Sequence, residues 1–318
     1  MRRRLAMWTA SHLMRPLPGP GEVHVWCLFP EDITGEDTAL WKTYKELLSP
    51  SEKTHIAQCS SNPKLQTEKL LARTLVRTTL ARYASGIVAP SSLRFTKNEF
   101  GKPNVIWPVK RLDKWRPPSL CFNLTHTQSL LMCAVTQKAE VGIDVEERER
   151  KFTRDLMALA RRQLSPEEAD WLSQFTDPNE QRCQFIQLWT LKEAYVKALG
   201  KGISKAPLKE FTFTFNASSP TVLRNLKQAV TIPISLSRAV ENSDDAWQFL
   251  LLQPSACHYA SICTQILPSS TFEQGSLQLE GWSDHNNLRV QIWRTVPLVR
   301  DEALEGAVAL ALSDPLSS

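Results

Sequence analysis

Two short stretches, LSPSE from Leu48 and LSPEE from Leu164, place Ser49 and Ser165 116 residues apart. Each reads as a helix start, with Ser as the N-cap, Pro at the first helical position and Glu three residues after the Ser. Three further landmarks keep the same offset. Pro63 and Asn179 stand in NP and PN breaks, Ile87 and Ile203 close ASGI and GKGI, and Phe95 and Phe211 stand in LRFTK and EFTFTF. A chain that repeats its punctuation at one spacing is expected to fold as two similar units.

The repeated unit is a short helix, a loop, a long helix and then strands. The long helices KLQTEKLLARTLVRTTLARYAS and EQRCQFIQLWTLKEAYVKALGK are expected to stop at Gly86 and Gly202. CFNLTH, SLLMCAVT and VGIDVE read as strands after the first helix, and FTFTF, WQFLLLQP and HYASICTQ after the second. The expected fold class is α+β, a pseudo-twofold duplication of two similar α+β subdomains. The expected divisions are a basic disordered tail over 1–21, closed by PLPGPG, then lobes over 22–140 and 141–265 and an extension over 266–318. The extension reads either as an added strand and helix or as a loosely attached tail. Arg2, Arg3, Arg4 and Arg15 precede any acidic residue, as in organelle transit peptides. A cytoplasmic location is expected, with a mitochondrial one as the alternative.

Composition excludes some classes. No apolar run approaches the roughly 18 residues of a membrane helix. Seven cysteines, with no CxxC and no secretory signal, read as reduced thiols. The net charge of +5 suits an acidic partner or a phosphorylated ligand, and is too weak and dispersed to argue for nucleic acid.

The chemistry-bearing residues cluster in the second unit. VGIDVEERER, from Val141, alternates apolar residues with Gly142, Asp144 and Glu146, so the two carboxylates share one strand face. In WTLKEAYVKALGKG, from Trp189, Leu188, Leu191, Tyr195 and Leu199 form an apolar stripe, while Trp189, Glu193 and Lys197 share another face. The offset of 116 pairs Glu193 with Arg77 and Lys197 with Ala81, so the first unit has no carboxylate there and Glu193 is not demanded by the fold. The plain alternatives are a solvated i,i+4 ion pair and an ordinary strand end. Taken together, Asp144, Glu146 and Glu193 are an oxygen-only set suited to Mg²⁺, which commonly shares its coordination with substrate phosphates. FNLTHTQS adds Asn123, Thr125 and His126 where a strand turns, a polar cluster able to bind phosphate. EFGKPNV adds Gly101 and Lys102 on a turn, which alone is an ordinary surface turn.

GKP from Gly101, FNLTH from Phe122, GIDVE from Gly142 and WTLKEAYVKALGKG from Trp189 together resemble the 4′-phosphopantetheinyl transferase superfamily, in its two-lobed class. The resemblance covers residues 22 to 265, and the last two motifs carry its specificity. It implies a pseudo-dimer of α+β lobes with coenzyme A in the cleft. It implies Asp144, Glu146 and Glu193 as Mg²⁺ ligands, and Lys197 as a phosphate contact. Lys102, Asn123, Thr125 and His126 match coenzyme A contacts, His126 near the 3′-phosphate. Arg94 and Lys97 lie where some members use basic residues on the adenine nucleotide. Lys53 is kept in the segment after LSP, whereas His55 stands where relatives carry a positive residue. Lys192 is a further candidate for the diphosphate. The implied reaction is attack by a serine of an acidic acyl or peptidyl carrier protein on the β-phosphorus of coenzyme A, releasing 3′,5′-ADP. Glu193 is the candidate base, with Asp144 and Lys197 also catalytic. The alternative is a degenerate protein that binds coenzyme A or carrier protein without transfer. A monomer is expected, because an internal pseudo-dimer already builds the cleft, with neither nucleic acid nor membrane as partner.

Overall fold

β1 (Glu22–Leu28) alternates as EVHVWCL, so Val23, Val25 and Cys27 enter one core and Trp26 and Leu28 another. The computed structural model describes residues 14–33, 38–59, 61–108, 115–153, 155–202, 208–214, 235–237, 246–267, 288–305 and 308–310. After β1 come α1 (Thr38–Leu47), α2 (Pro50–Ala57) and α3 (Pro63–Ala81). The ribbon of β2 (Arg94–Lys97) and β3 (Pro103–Ile106) follows, then β4 (Leu120–His126) and β5 (Leu131–Gln137). The second half runs β6 (Val141–Glu147), α4 (Leu156–Gln163), α5 (Pro166–Ser173), α6 (Pro178–Leu199), the ribbon β7 (Thr212–Thr214) and β8 (Ser235–Ser237), β9 (Ala246–Ser255) and β10 (His258–Ile266). The fold is mixed α+β. Of these strands, β1-β5-β4 are neighbours in one sheet and β6-β10-β9 in the other, and each of these pairs is antiparallel.

Both expected helix starts form complete capping boxes, Ser49 with Glu52 and Ser165 with Glu168. Each box carboxylate also receives a buried cation from the long helix. Arg77 Nη2 lies 2.6 Å from Glu52, and Arg77 donates onward to the carbonyls of Pro90 and Leu93. Lys192 Nζ lies 2.8 Å from Glu168 and donates to the carbonyls of Leu208 and Phe211, both at 2.6 Å. α3 begins at Pro63 and α6 at Pro178. Counted from those starts the offset is 115 rather than 116, which sets Arg77 against Lys192, Thr78 against Glu193 and Arg82 against Lys197. At either offset the first-half residue set against Glu193, Arg77 or Thr78, is not a carboxylate. The helix stops also shift. α3 ends at Ala81 and runs into a 3₁₀ turn, and α6 is closed by Gly200 at φ 64° rather than by Gly202.

Three cores hold the layers together. The first-half helices cover one face of the first sheet around Trp26, Tyr44 and Leu75. α4 to α6 cover one face of the second sheet around Phe185, Leu188 and Phe249. Between the sheets, Val23 and Val25 of β1 join Val141, Ile143 and Val145 of β6 and Ala260 and Ile262 of β10. β4 and β6, each at an edge of its sheet, run close beside one another.

The described residues of the C-terminal segment form strands. β11 (Arg289–Val296) lies parallel to β1, β12 (Arg300–Ala303) pairs with β11, and β13 (Val308–Leu310) pairs with β9 of the other sheet. A buried ion pair fastens it, with Arg82 Nη2 at 2.6 Å and Nε at 2.8 Å from the Asp301 carboxylate. Of the expected tail over 1–21, residues 14–21 are described and 1–13 lie outside the described residues. Met14 packs on the first-half core, and Arg15 lies over the Trp293 ring. Arg2, Arg3 and Arg4 lie outside the described residues. Among the described residues no helix is long and apolar enough to cross a membrane, and all seven cysteines are free.

Candidate functional site

Gly142 sets the geometry of the site. It lies on β6 under α6, and a Cβ there would stand 1.9 Å from the Ala194 carbonyl oxygen and 2.4 Å from the Ala198 nitrogen. The missing side chain lets α6 rest directly on the strand. The next residue on that face of β6 is Asp144, and the α6 residues beside the contact are Glu193 and Lys197. Lys197 Nζ lies 2.6 Å from Asp144 Oδ1 and 3.2 Å from Thr125 Oγ1, and the Thr125 hydroxyl donates to the same Oδ1 at 3.1 Å. Asp144 Oδ2 is buried and has no hydrogen-bond partner. First-half Thr125 thus meets second-half Asp144 and Lys197 at one point.

The carboxylates crowd one another. Burial, then repulsion from Asp144, holds the Glu193 carboxyl up at about 7. The same two causes, in the same order, hold Glu146 at about 7, even though Arg150 pairs with it. Among the described residues no group of three or more His, Cys, Asp or Glu side chains is already arranged to hold a metal ion. Lys197 and Arg150 carry the balancing charge beside Asp144 and Glu146. A cleft of about 620 Å³ opens here, walled by Thr125, His126, Gln128, Asp144, Glu146 and Lys197 among others. Glu193 is 6% exposed and does not line it.

Residues 140–248 match the 4′-phosphopantetheinyl transferase superfamily. The matched segment contains β6 and α6, and with them Asp144, Glu146, Glu193 and Lys197. The chain is 35% identical over 152 residues to the 4′-phosphopantetheinyl transferase HetI of Nostoc sp., across 48% of this chain and 59% of that protein. It is 30% identical to the 4′-phosphopantetheinyl transferase gsp of Aneurinibacillus migulanus, across 51% and 61%. It is 33% identical to the 4′-phosphopantetheinyl transferase Sfp of Bacillus subtilis, across 45% and 56%. The chain thus spans about three-fifths of the length of these relatives. The resemblance read from GIDVE and WTLKEAYVKALGKG is borne out.

The other expected site residues are dispersed. His126 is exposed on the cleft wall, its Nδ1 3.4 Å from Glu68. Asn123 is buried, and its Oδ1 accepts from the Ile143 N–H at 3.1 Å, which stitches β4 to β6. Arg94 and Lys97 are exposed on β2. Lys53 and His55 are exposed on α2, and Lys53 lines a separate groove of about 550 Å³ with Trp41, Leu48 and Leu70. Lys192 is not at the cleft. It is fully buried between Glu168 and the Leu208 and Phe211 carbonyls, because it lies on the side of α6 that faces the core. Lys102 does not line the cleft either, and its ammonium is held at the end of α6.

The sequence reading missed Arg150, the partner of Glu146, although the i,i+4 spacing was visible. It also missed His258. That buried ring bonds Ser255 through Nδ1 at 2.7 Å and Ser129 through Nε2 at 2.9 Å, so it ties the β9–β10 hairpin to the β4–β5 turn at the cleft mouth. No local pattern around HYAS announces such a contact.

Proposed function

We propose that this protein transfers the 4′-phosphopantetheine arm of coenzyme A to a serine of an apo acyl or peptidyl carrier protein. The observation that carries this reading is Asp144, buried on β6 with one oxygen on Lys197 and Thr125 and the other without a partner. It lies within the segment that matches the superfamily.

The donor set fits a divalent cation. It is all oxygen, it includes one buried orphan atom, and it holds two further carboxyls whose charges Asp144 repels. Asp144, Glu146 and Glu193 would hold Mg²⁺, which when bound supplies neutralisation of charge on the diphosphate. The remaining work falls to the chain's own groups. Lys197 and the Thr125 hydroxyl bind the diphosphate at the cleft wall. His126, exposed on the cleft wall, contacts the nucleotide end. Glu193, buried beside the cleft, takes the proton of the carrier serine, directly or through a water, as the bond from the serine oxygen to the β-phosphorus forms. The bond from that phosphorus to the bridging oxygen breaks, and 3′,5′-ADP leaves with the electron pair. A positioned base contributes about 10²- to 10⁴-fold.

The two halves are read as an internal duplication with coenzyme A in the groove between them. The repeated strand order and the repeated pairing of a buried cation with a capping-box carboxylate support this. The net charge of +5 suits an acidic carrier. The test is the intact mass of an apo acyl carrier protein after incubation with this protein, coenzyme A and Mg²⁺. A gain of one phosphopantetheine, absent with Glu193→Gln, supports the reading. Coenzyme A binding without any gain on a panel of carriers refutes it.

A further inference from the structure

We propose that Lys102 and Asn98, on the turn between β2 and β3, are positioning residues that cap the end of α6 and fix Lys197, and that Lys102 is not a phosphate ligand. The proposal rests on the transferase reading of the cleft, which it refines.

A helix leaves its last four carbonyls without intrahelical partners, and its C-terminus favours a cation. The first-half turn supplies both needs of α6. Lys102 Nζ donates to the Ala198 carbonyl at 2.7 Å, and Asn98 Nδ2 to the Gly200 carbonyl at 2.9 Å. The same ammonium donates to Glu140 at 2.5 Å and to the Val141 carbonyl at 3.3 Å. A lysine ammonium carries three N–H donors, and all three have acceptors here. A phosphate could be bound only by breaking one of them.

The turn is built as a holder. Asn98 Oδ1 accepts from the backbone N–H groups of Phe100 and Lys102 at 3.0 and 2.8 Å, and Gly101 supplies the φ of +92° that the turn needs. The lysine stem lies across Gly200, where a Cβ would stand 2.8 Å from Lys102 Cδ. One side chain therefore grips the first residue of the strand that carries Asp144 and the last turn of the helix that carries Lys197. Lys197 immediately precedes Ala198, so the cap acts on the backbone that aims its Nζ at Asp144.

The experiment compares Lys102→Met, Lys102→Arg and Asn98→Ala with the wild type. Hydrogen exchange is followed in the last turn of α6, and kcat and KM are measured with coenzyme A and with its analogue lacking the 3′-phosphate. Capping predicts faster exchange at the end of α6 in Lys102→Met and Asn98→Ala, with protection largely restored in Lys102→Arg. It predicts a kcat lowered by about 10-fold or more, in line with displaced catalytic groups. KM for coenzyme A should stay within about twofold of the wild type, and the loss should be equal for both substrates. Unchanged exchange in Lys102→Met would overturn the proposal. So would a loss carried by KM, or one that shrinks when the 3′-phosphate is absent, since either is the mark of a ligand. Wild type that loads no carrier sinks the transferase reading alone, and the exchange comparison still decides the cap.

Discussion

Replacing Gly142 by Ala tests the contact on which the site depends. The added Cβ would meet the Ala194 carbonyl oxygen at 1.9 Å and the Ala198 nitrogen at 2.4 Å, and real Cβ atoms essentially never approach within 3.0 Å. Both obstacles are helix backbone, which cannot swing aside as a side chain can. α6 must therefore lift from β6 by at least about 1.1 Å. Lys197 Nζ, now 2.6 Å from Asp144 Oδ1, would move out of hydrogen-bond range. Overpacking a core costs about 1–3 kcal/mol, and rigid obstacles put this case near about 3 kcal/mol. For a chain of this size that lowers the melting temperature by roughly 6 °C. A displacement of about 1 Å at a reacting centre costs about 10²-fold in rate. The assays are a thermal melt and the rate of phosphopantetheine transfer to a carrier. A Gly142→Ala protein that melts within about 2 °C of the wild type and keeps most of its rate would show that α6 does not rest on β6 at this glycine.

Three further outcomes are expected. Glu193→Gln lowers transfer by at least about 10²-fold, and because it removes a buried charge repelled by Asp144, the melt should not fall; a clear drop in melting temperature would contradict this placement. Lys192→Met leaves Glu168 buried without its cation and costs about 3–5 kcal/mol, read from urea unfolding, with Glu168→Gln in the same chain recovering part of the loss. The Asp301 carboxyl is pushed up by burial but held below its usual 3.8 by the Arg82 hydrogen bonds and charge, so it binds fewer protons folded than unfolded. Its stabilisation is full above the ordinary carboxylate range and is lost as pH falls through the lower folded value. Asp301→Asn should therefore flatten the acid limb of stability, and an unchanged limb would show that this pair does not contribute.

Part of the site was legible because it rests on short-range periodicity. A strand repeats every two residues and a helix every 3.6, so Asp144 had to share a face with Glu146, and Glu193 with Lys197. The capping boxes at Ser49 and Ser165 were legible for the same reason, since all their partners lie within three residues. Lys192 was not. Its position on α6 was clear, but which side of the helix faced the core depended on Glu168 and on the carbonyls of Leu208 and Phe211. The one-residue difference in helix offset had the same origin, because it appears only with the helix starts and the buried pairs Glu52–Arg77 and Glu168–Lys192 in view.

By itself the sequence determined the α+β class, the starts of the repeated helices and the pairing of carboxylates on β6 with the Glu193–Lys197 face of α6. Tertiary structure alone decided that α6 settles on Gly142, that Thr125 crosses from the other half to Asp144, and that the C-terminal strands extend both sheets. The reason is range. Local patterns fix which way a side chain points from its own element, whereas its partner is fixed by the packing of distant elements, through surface complementarity that no window of neighbouring residues encodes.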